Sequence, residues 1–88
     1  MSTRDIQVID SPQRTYSTKV LVREKIKTGS VYEDSLPRLY ERRRQQLPAD
    51  CVGADMATSI DDYWKLRLYF QLEDTAEITR RVQAWLAE

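Results

Sequence analysis

Eighty-eight residues, 41% hydrophobic and 32% charged, with two glycines and three prolines, fit one small globular domain and exclude a disordered or collagen-like chain. One cysteine and no histidine exclude a disulfide framework, zinc-finger spacing and the commonest acid–base side chain. Fourteen basic and fourteen acidic residues cancel, yet Arg14 to Arg44 holds nine cations against four acids, so the rest of the chain is five charges negative. A nucleic-acid domain usually carries net positive charge, so this segregation points to a charge-steered protein partner or to self-association.

Residues 1–4 read as a loose chain end, without the apolar run of a secretion signal. The longest aliphatic run, Val20-Leu21-Val22, is far short of a membrane span, and a reduced, cytoplasmic protein is expected. "DIQVID" (5–10) alternates and is rich in β-branched residues, which predicts a strand. "SPQRTYST" (11–18) is turn chemistry. "KVLVREKIK" (19–27) predicts a second strand. Its even positions Val20, Val22 and Ile26 form an apolar face interrupted by Glu24, and its odd positions Leu21, Arg23, Lys25 and Lys27 form a mostly basic one. "TGS" ends it.

A helix follows, from Asp34 or Ser35 to Leu47. Ser30 with Glu33 also makes a capping-box pattern, but that start leaves Pro37 inside the helix at a cost of about 3 kcal/mol. The later start puts Pro37 in the tolerated first turn, and Pro48 marks the end. Within 48–62, "VGADMATSI" (52–60) predicts a weak strand that Asp61-Asp62 turns into the next one. "YWKLRLYFQL" (63–72) is the clearest strand, with Trp64, Leu66, Leu68, Phe70 and Leu72 on one face. Tyr63, Lys65, Arg67, Tyr69 and Gln71 take the other face, the pattern of a sheet with one buried and one wet side. The last helix opens on Asp74-x-x-Glu77 and buries a stripe of Ile78, Val82, Trp85 and Leu86.

The element order is β-β-α-β-β-α. It predicts an α+β two-layer sandwich, an antiparallel sheet of three to four strands with both helices on one face. This order resembles a permuted ferredoxin-like fold whose edge strand has moved to the N-terminus. The likeness is one of element order, and no family is recognised by its residues.

Two surfaces are candidates for function. The first is the run Arg42-Arg43-Arg44 with Arg38. With Leu36 at 0°, Arg42 falls near about 240°, Arg43 near about 340° and Arg44 near about 80°. Arg38 and Arg42 therefore share the wet face, Arg44 borders Tyr40, and Arg43 points into the apolar face. The plain reading is local helix electrostatics. Asp34–Arg38 and Glu41–Arg44 are helix-spaced pairs worth about 0.2–0.5 kcal/mol each, and Arg43 lays its stem over apolar neighbours. The functional reading is a protein-docking surface made of Arg38, Arg42, Arg43 and Arg44.

The second candidate is the wet sheet face. If the second and fourth strands are neighbours, Arg23, Lys25, Lys27, Lys65 and Arg67 gather with Tyr63 and Tyr69. Cations interleaved with aromatics bind single-stranded RNA or DNA through phosphate pairing and base stacking. "YWKLRLYFQL" departs from the RNP1 pattern of RRM sheets, which needs a small residue between aromatics. The plain reading is a solvated face that resists aggregation.

Asp50, Asp55, Asp61 and Asp62 match no calcium-loop spacing and read as turn residues. Cys51 has no histidine to activate it. No metal, cofactor or catalytic residue is indicated. The chain reads as a small non-enzymatic protein-interaction module, an accessory or regulatory subunit. The alternative is a single-stranded RNA/DNA-binding domain using Arg23, Lys25, Tyr63, Lys65, Arg67 and Tyr69. A third reading is a small-molecule or enzymatic site between helices and sheet, which would need a pocket of polar groups with shifted pKa values.

Overall fold

Alternation along each strand decides which side is buried, and strand pairing then stacks the buried sides. The computed structural model describes residues 4–10, 16–26, 35–58 and 61–87. The elements are β1 (Asp5–Asp10), β2 (Thr18–Lys25), α1 (Leu36–Arg43), β3 (Cys51–Thr58), β4 (Tyr63–Phe70) and α2 (Thr75–Ala87). The strands form one antiparallel sheet in the order β1-β2-β4-β3. On its buried side Val20 faces Leu68 and Val22 faces Leu66, and all four are fully buried. Ile6 and Val8 from β1 and Ala54 and Met56 from β3 flank these pairs. Leu36 and Leu39 of α1 and Ile78, Val82 and Trp85 of α2 complete the same cluster. Each fully buried aliphatic side chain of this layer contributes roughly 1.5–3 kcal/mol, which makes the layer the main source of stability.

Predicted and observed strands differ at their ends. The second strand begins one residue earlier, at Thr18, and ends at Lys25; Lys27 lies outside the described residues. The third runs over Cys51–Thr58, and residues 59–60 lie outside the described ones. The fourth stops at Phe70, where Ser17 N–H donates to the Phe70 carbonyl at 2.8 Å.

The residue that interrupts the apolar face of β2 anchors α1. Glu24 is buried, and its Oε2 accepts from the Leu36 N–H at 2.8 Å. Its Oε1 accepts from Arg4 Nε, also at 2.8 Å. Arg4 is therefore tied to the sheet, where a loose end was expected. Ser35 is the N-cap by backbone angle but makes no side-chain cap bond, so a sheet carboxylate serves one of the helix's open N–H groups. Pro37 sits in the first turn, as expected; Ser30, Glu33 and Asp34 lie outside the described residues.

The helix ends at Arg43, short of the expected Leu47. Helical spacing cannot register the reason, which is tertiary. The Trp85 indole N–H donates to the Gln46 carbonyl at 2.8 Å, and the Arg43 guanidinium donates to the Trp85 carbonyl. A turn closed by Gln46 N–H on the Arg43 carbonyl then leads into β3. Arg81 of α2 donates to the Ala49 carbonyl at 2.9 Å and to Asp50 at 2.7 Å. Asp50 there adopts φ 67°, a left-handed conformation that aspartate tolerates better than most residues.

Helix α2 opens as expected, with Asp74 Oδ1 accepting the Glu77 N–H at 3.1 Å. The Glu77 carboxylate bonds Arg81 at 2.9 Å and also Arg80, and these two cations hold its pKa below the usual carboxylate range. A depressed carboxylate contributes stability above its unfolded pKa and loses it as pH falls through the folded value. Glu77→Gln is therefore expected to lower the melting temperature at neutral pH and to match the wild type in strong acid. Equal melting curves at neutral pH would show that these surface bonds contribute nothing.

Candidate functional site: the open face of the sheet

The side of the sheet away from the helices carries the odd-numbered residues of β2 and β4. Register places Lys19 opposite Tyr69, Leu21 opposite Arg67, Arg23 opposite Lys65 and Lys25 opposite Tyr63. The two strands are neighbours, and Arg23, Lys25, Tyr63, Lys65, Arg67 and Tyr69 come together on one surface.

Each edge strand adds a carboxylate. Asp5 of β1 faces Arg23, and its Oδ2 accepts from Arg23 Nη2 at 3.0 Å. Asp55 of β3 faces Arg67, and its Oδ1 accepts from Arg67 Nε at 2.5 Å. The other Asp55 oxygen accepts from the Tyr69 hydroxyl at 3.2 Å. Lys65 lies 3.5 Å from Asp61 in the turn before β4. The tyrosine rings are engaged as well. The Arg23 guanidinium lies 5.0 Å from the Tyr63 ring centre and the Lys25 ammonium 6.0 Å from it, within cation–π range. Tyr16 and Tyr69 pack as a tilted pair with centres 4.8 Å apart.

The electrostatics follow from this layout. The Asp55 hydrogen bond raises the pKa of Arg67, a guanidinium that is charged in any case. Partial burial first, and then the Asp55 charge, raise the Tyr69 pKa, so that its phenol remains a donor. Arg23 and Lys65 are like charges directly opposite each other, an arrangement that destabilises a sheet unless counter-charges stand by. Asp5 and Asp61 supply them. Arg23 Nε is nevertheless buried without a hydrogen-bond partner among the described residues. Five cations (Lys19, Arg23, Lys25, Lys65, Arg67) meet three carboxylates (Asp5, Asp55, Asp61), which leaves an excess of two positive charges among the described residues.

Such a surface offers anchored cations and phenols to a partner's acceptors. Sequence reasoning missed Tyr16, Lys19, Asp5 and Asp55 as members of it. Parity within strand 19–27 could have found Lys19. Asp5 and Asp55 depend on pairing register, which local pattern does not contain.

The arginine run lies on the other layer. Arg43 is half-buried and tied to α2, while Arg38, Arg42 and Arg44 are exposed. Glu41 and Arg44 form no ion pair among the described residues. The Asp34–Arg38 pair falls outside them. The Cys51 thiol donates to the Gly53 carbonyl at 3.3 Å, and burial pushes its pKa up. That is the reverse of activation. No described helix is long and apolar enough to cross a membrane. Compared with known families, with curated proteins and with solved structures, the chain finds no match.

Proposed function

We propose that the chain is a small non-enzymatic protein-interaction module, an accessory or regulatory subunit, that docks its partner on the open face of the sheet. One observation carries this reading. Two adjacent inner strands present Arg23, Lys65, Arg67, Tyr63 and Tyr69 on the side opposite a fully packed core. Arginine and tyrosine are the residues that most often concentrate binding energy at interfaces, and strands hold them more rigidly than loops. The strand order β1-β2-β4-β3 supports a permuted ferredoxin-like sandwich, because moving that fold's last edge strand to the N-terminus produces it. A free, half-buried Cys51 suits a reducing cytoplasm.

Affinity capture tests the docking face. Lys19→Glu with Lys25→Glu reverses charge on the sheet, and Arg38→Glu with Arg44→Glu does so on α1. The partner is expected to be retained by the wild type and the helix variant and lost by the sheet variant, with circular dichroism unchanged. Loss by the helix variant alone would move the docking surface to the arginine run. Indifference to both substitutions would reject the sheet face.

The tyrosine rings and cations favour single-stranded RNA or DNA as a second reading. Three of the five cations already hold carboxylates, which weakens it. Fluorescence anisotropy with mixed oligonucleotides at low salt decides between the readings. Salt-sensitive binding would support the nucleic-acid reading, because phosphate contacts release counterions.

A further inference from the structure

Resting on the docking reading above, we infer that Asp5 and Asp55 occupy the places of a partner's carboxylates, so that the partner is an acidic protein segment which displaces them from Arg23 and Arg67. The three central cations form one compact patch. Arg23 and Lys65 are direct cross-strand partners, about 4.5–5.5 Å apart at Cβ. Arg67 lies two residues along β4, about 7 Å further on. Such crowding of like charge is unfavourable for folding alone, and the edge strands relieve it with one aspartate for each arginine.

Those aspartates are open to solvent, although Asp55 also holds the Tyr69 hydroxyl. The Asp5 side chain is 61% exposed and that of Asp55 46% exposed. Ion pairs as open as these contribute little and exchange readily with other anions. Asp5 also leaves Arg23 incompletely served, because it takes Nη2 while Nε stays buried without an acceptor among the described residues. An arginine binds a carboxylate best through two parallel N–H bonds. When Asp5 leaves, the guanidinium is free to turn and present both Nε and Nη2 to an incoming carboxylate.

Charge complementarity selects a carboxylate-bearing protein over a polyphosphate. Each central cation of this face already accepts a single carboxylate. An excess of two cations on this face would release few counterions from a polyphosphate. A protein segment carrying a few glutamates or aspartates matches that modest excess.

The test titrates the full chain, at low salt, into fluorescently labelled poly-L-glutamate and, separately, into labelled poly-dT. Asp5→Asn with Asp55→Asn removes the internal competitors. Glu41→Gln with Glu73→Gln makes the same change of net charge at exposed positions elsewhere. The first pair is expected to bind poly-glutamate about fivefold or more tightly than the wild type, as removal of a competing bound state predicts. Adding Arg23→Gln and Arg67→Gln should abolish the gain. If the double variant does not fold, Asp5→Asn alone serves the same comparison. A gain no larger than that of the Glu41/Glu73 control overturns the inference. So does a larger gain for poly-dT, which would assign the face to nucleic acid. If capture of a partner still depends on Lys19 and Lys25 while the aspartate variants gain nothing, the displacement idea fails alone. If capture ignores the sheet face, the docking reading fails, and the inference falls with it.

Discussion

Replacing Glu24 by alanine is expected to destabilise the fold by about 3–5 kcal/mol, the usual cost of removing one partner from a buried charged pair. A chain of this length has about 4–13 kcal/mol of stability in total, at roughly 0.05–0.15 kcal/mol per residue. The loss is a large fraction of the total and unfolds the variant only at the lower end of that range. Among the described residues, Leu36 and Arg4 lose this acceptor together. The Leu36 N–H is left open at the start of α1, and the Arg4 guanidinium loses the Glu24 carboxylate. Glu24→Gln keeps an acceptor oxygen for Leu36 but turns its amide NH2 toward Arg4 and so gives up both the charge and that acceptor, and about 1–3 kcal/mol is expected. Glu24→Leu continues the apolar face of β2 yet serves neither donor, and should fall nearer to alanine than to glutamine. Urea denaturation measures all three. If the three variants agree within about 1 kcal/mol, the buried carboxylate has no anchoring role.

The second large effect separates two adjacent residues. Phe70 is fully buried beneath the helices, and Phe70→Ala should cost about 3–5 kcal/mol through lost transfer energy and the cavity left behind. Tyr69 lies on the open face, where its losses are the Tyr16 ring contact and the Asp55 hydrogen bond. Tyr69→Ala should cost about 1 kcal/mol or less, since substitutions away from the core are usually mild. Capture of a partner should show the opposite ranking among variants that still fold, with Tyr69→Ala the weaker binder. A Tyr69 variant that unfolds beside a stable Phe70 variant would mean that β4 presents its faces the other way round.

That contrast between neighbours was legible without coordinates. Period-two alternation from Tyr63 to Phe70 belongs to the strand itself, and so does the i, i+4, i+7 stripe of Ile78, Val82 and Trp85. Pro37 marked the first turn of α1, because its missing N–H is tolerated only there. The end of that helix was not legible. Arg43 and Gln46 turn toward Trp85, which is remote in sequence, and helical spacing contains no term for such a bond. Glu24 looked like a flaw in an apolar face until the helix start it serves was in place.

The candidate site divides in the same way. The composition of each strand determined which side chains share the open face of β2 and β4. Which of them meet was decided by pairing. A bulge between Cys51 and Gly53 sets Gly53 opposite Tyr69 and Asp55 opposite Arg67. Had the register of Cys51 opposite Phe70 continued without it, Ala54 would face Arg67 and Asp55 would turn to the buried side, since a one-residue slip moves every side chain of a strand to the other face. Periodicity is a property of neighbouring residues and can be read along the chain. Register is an agreement between distant segments, and it exists only once they have folded together.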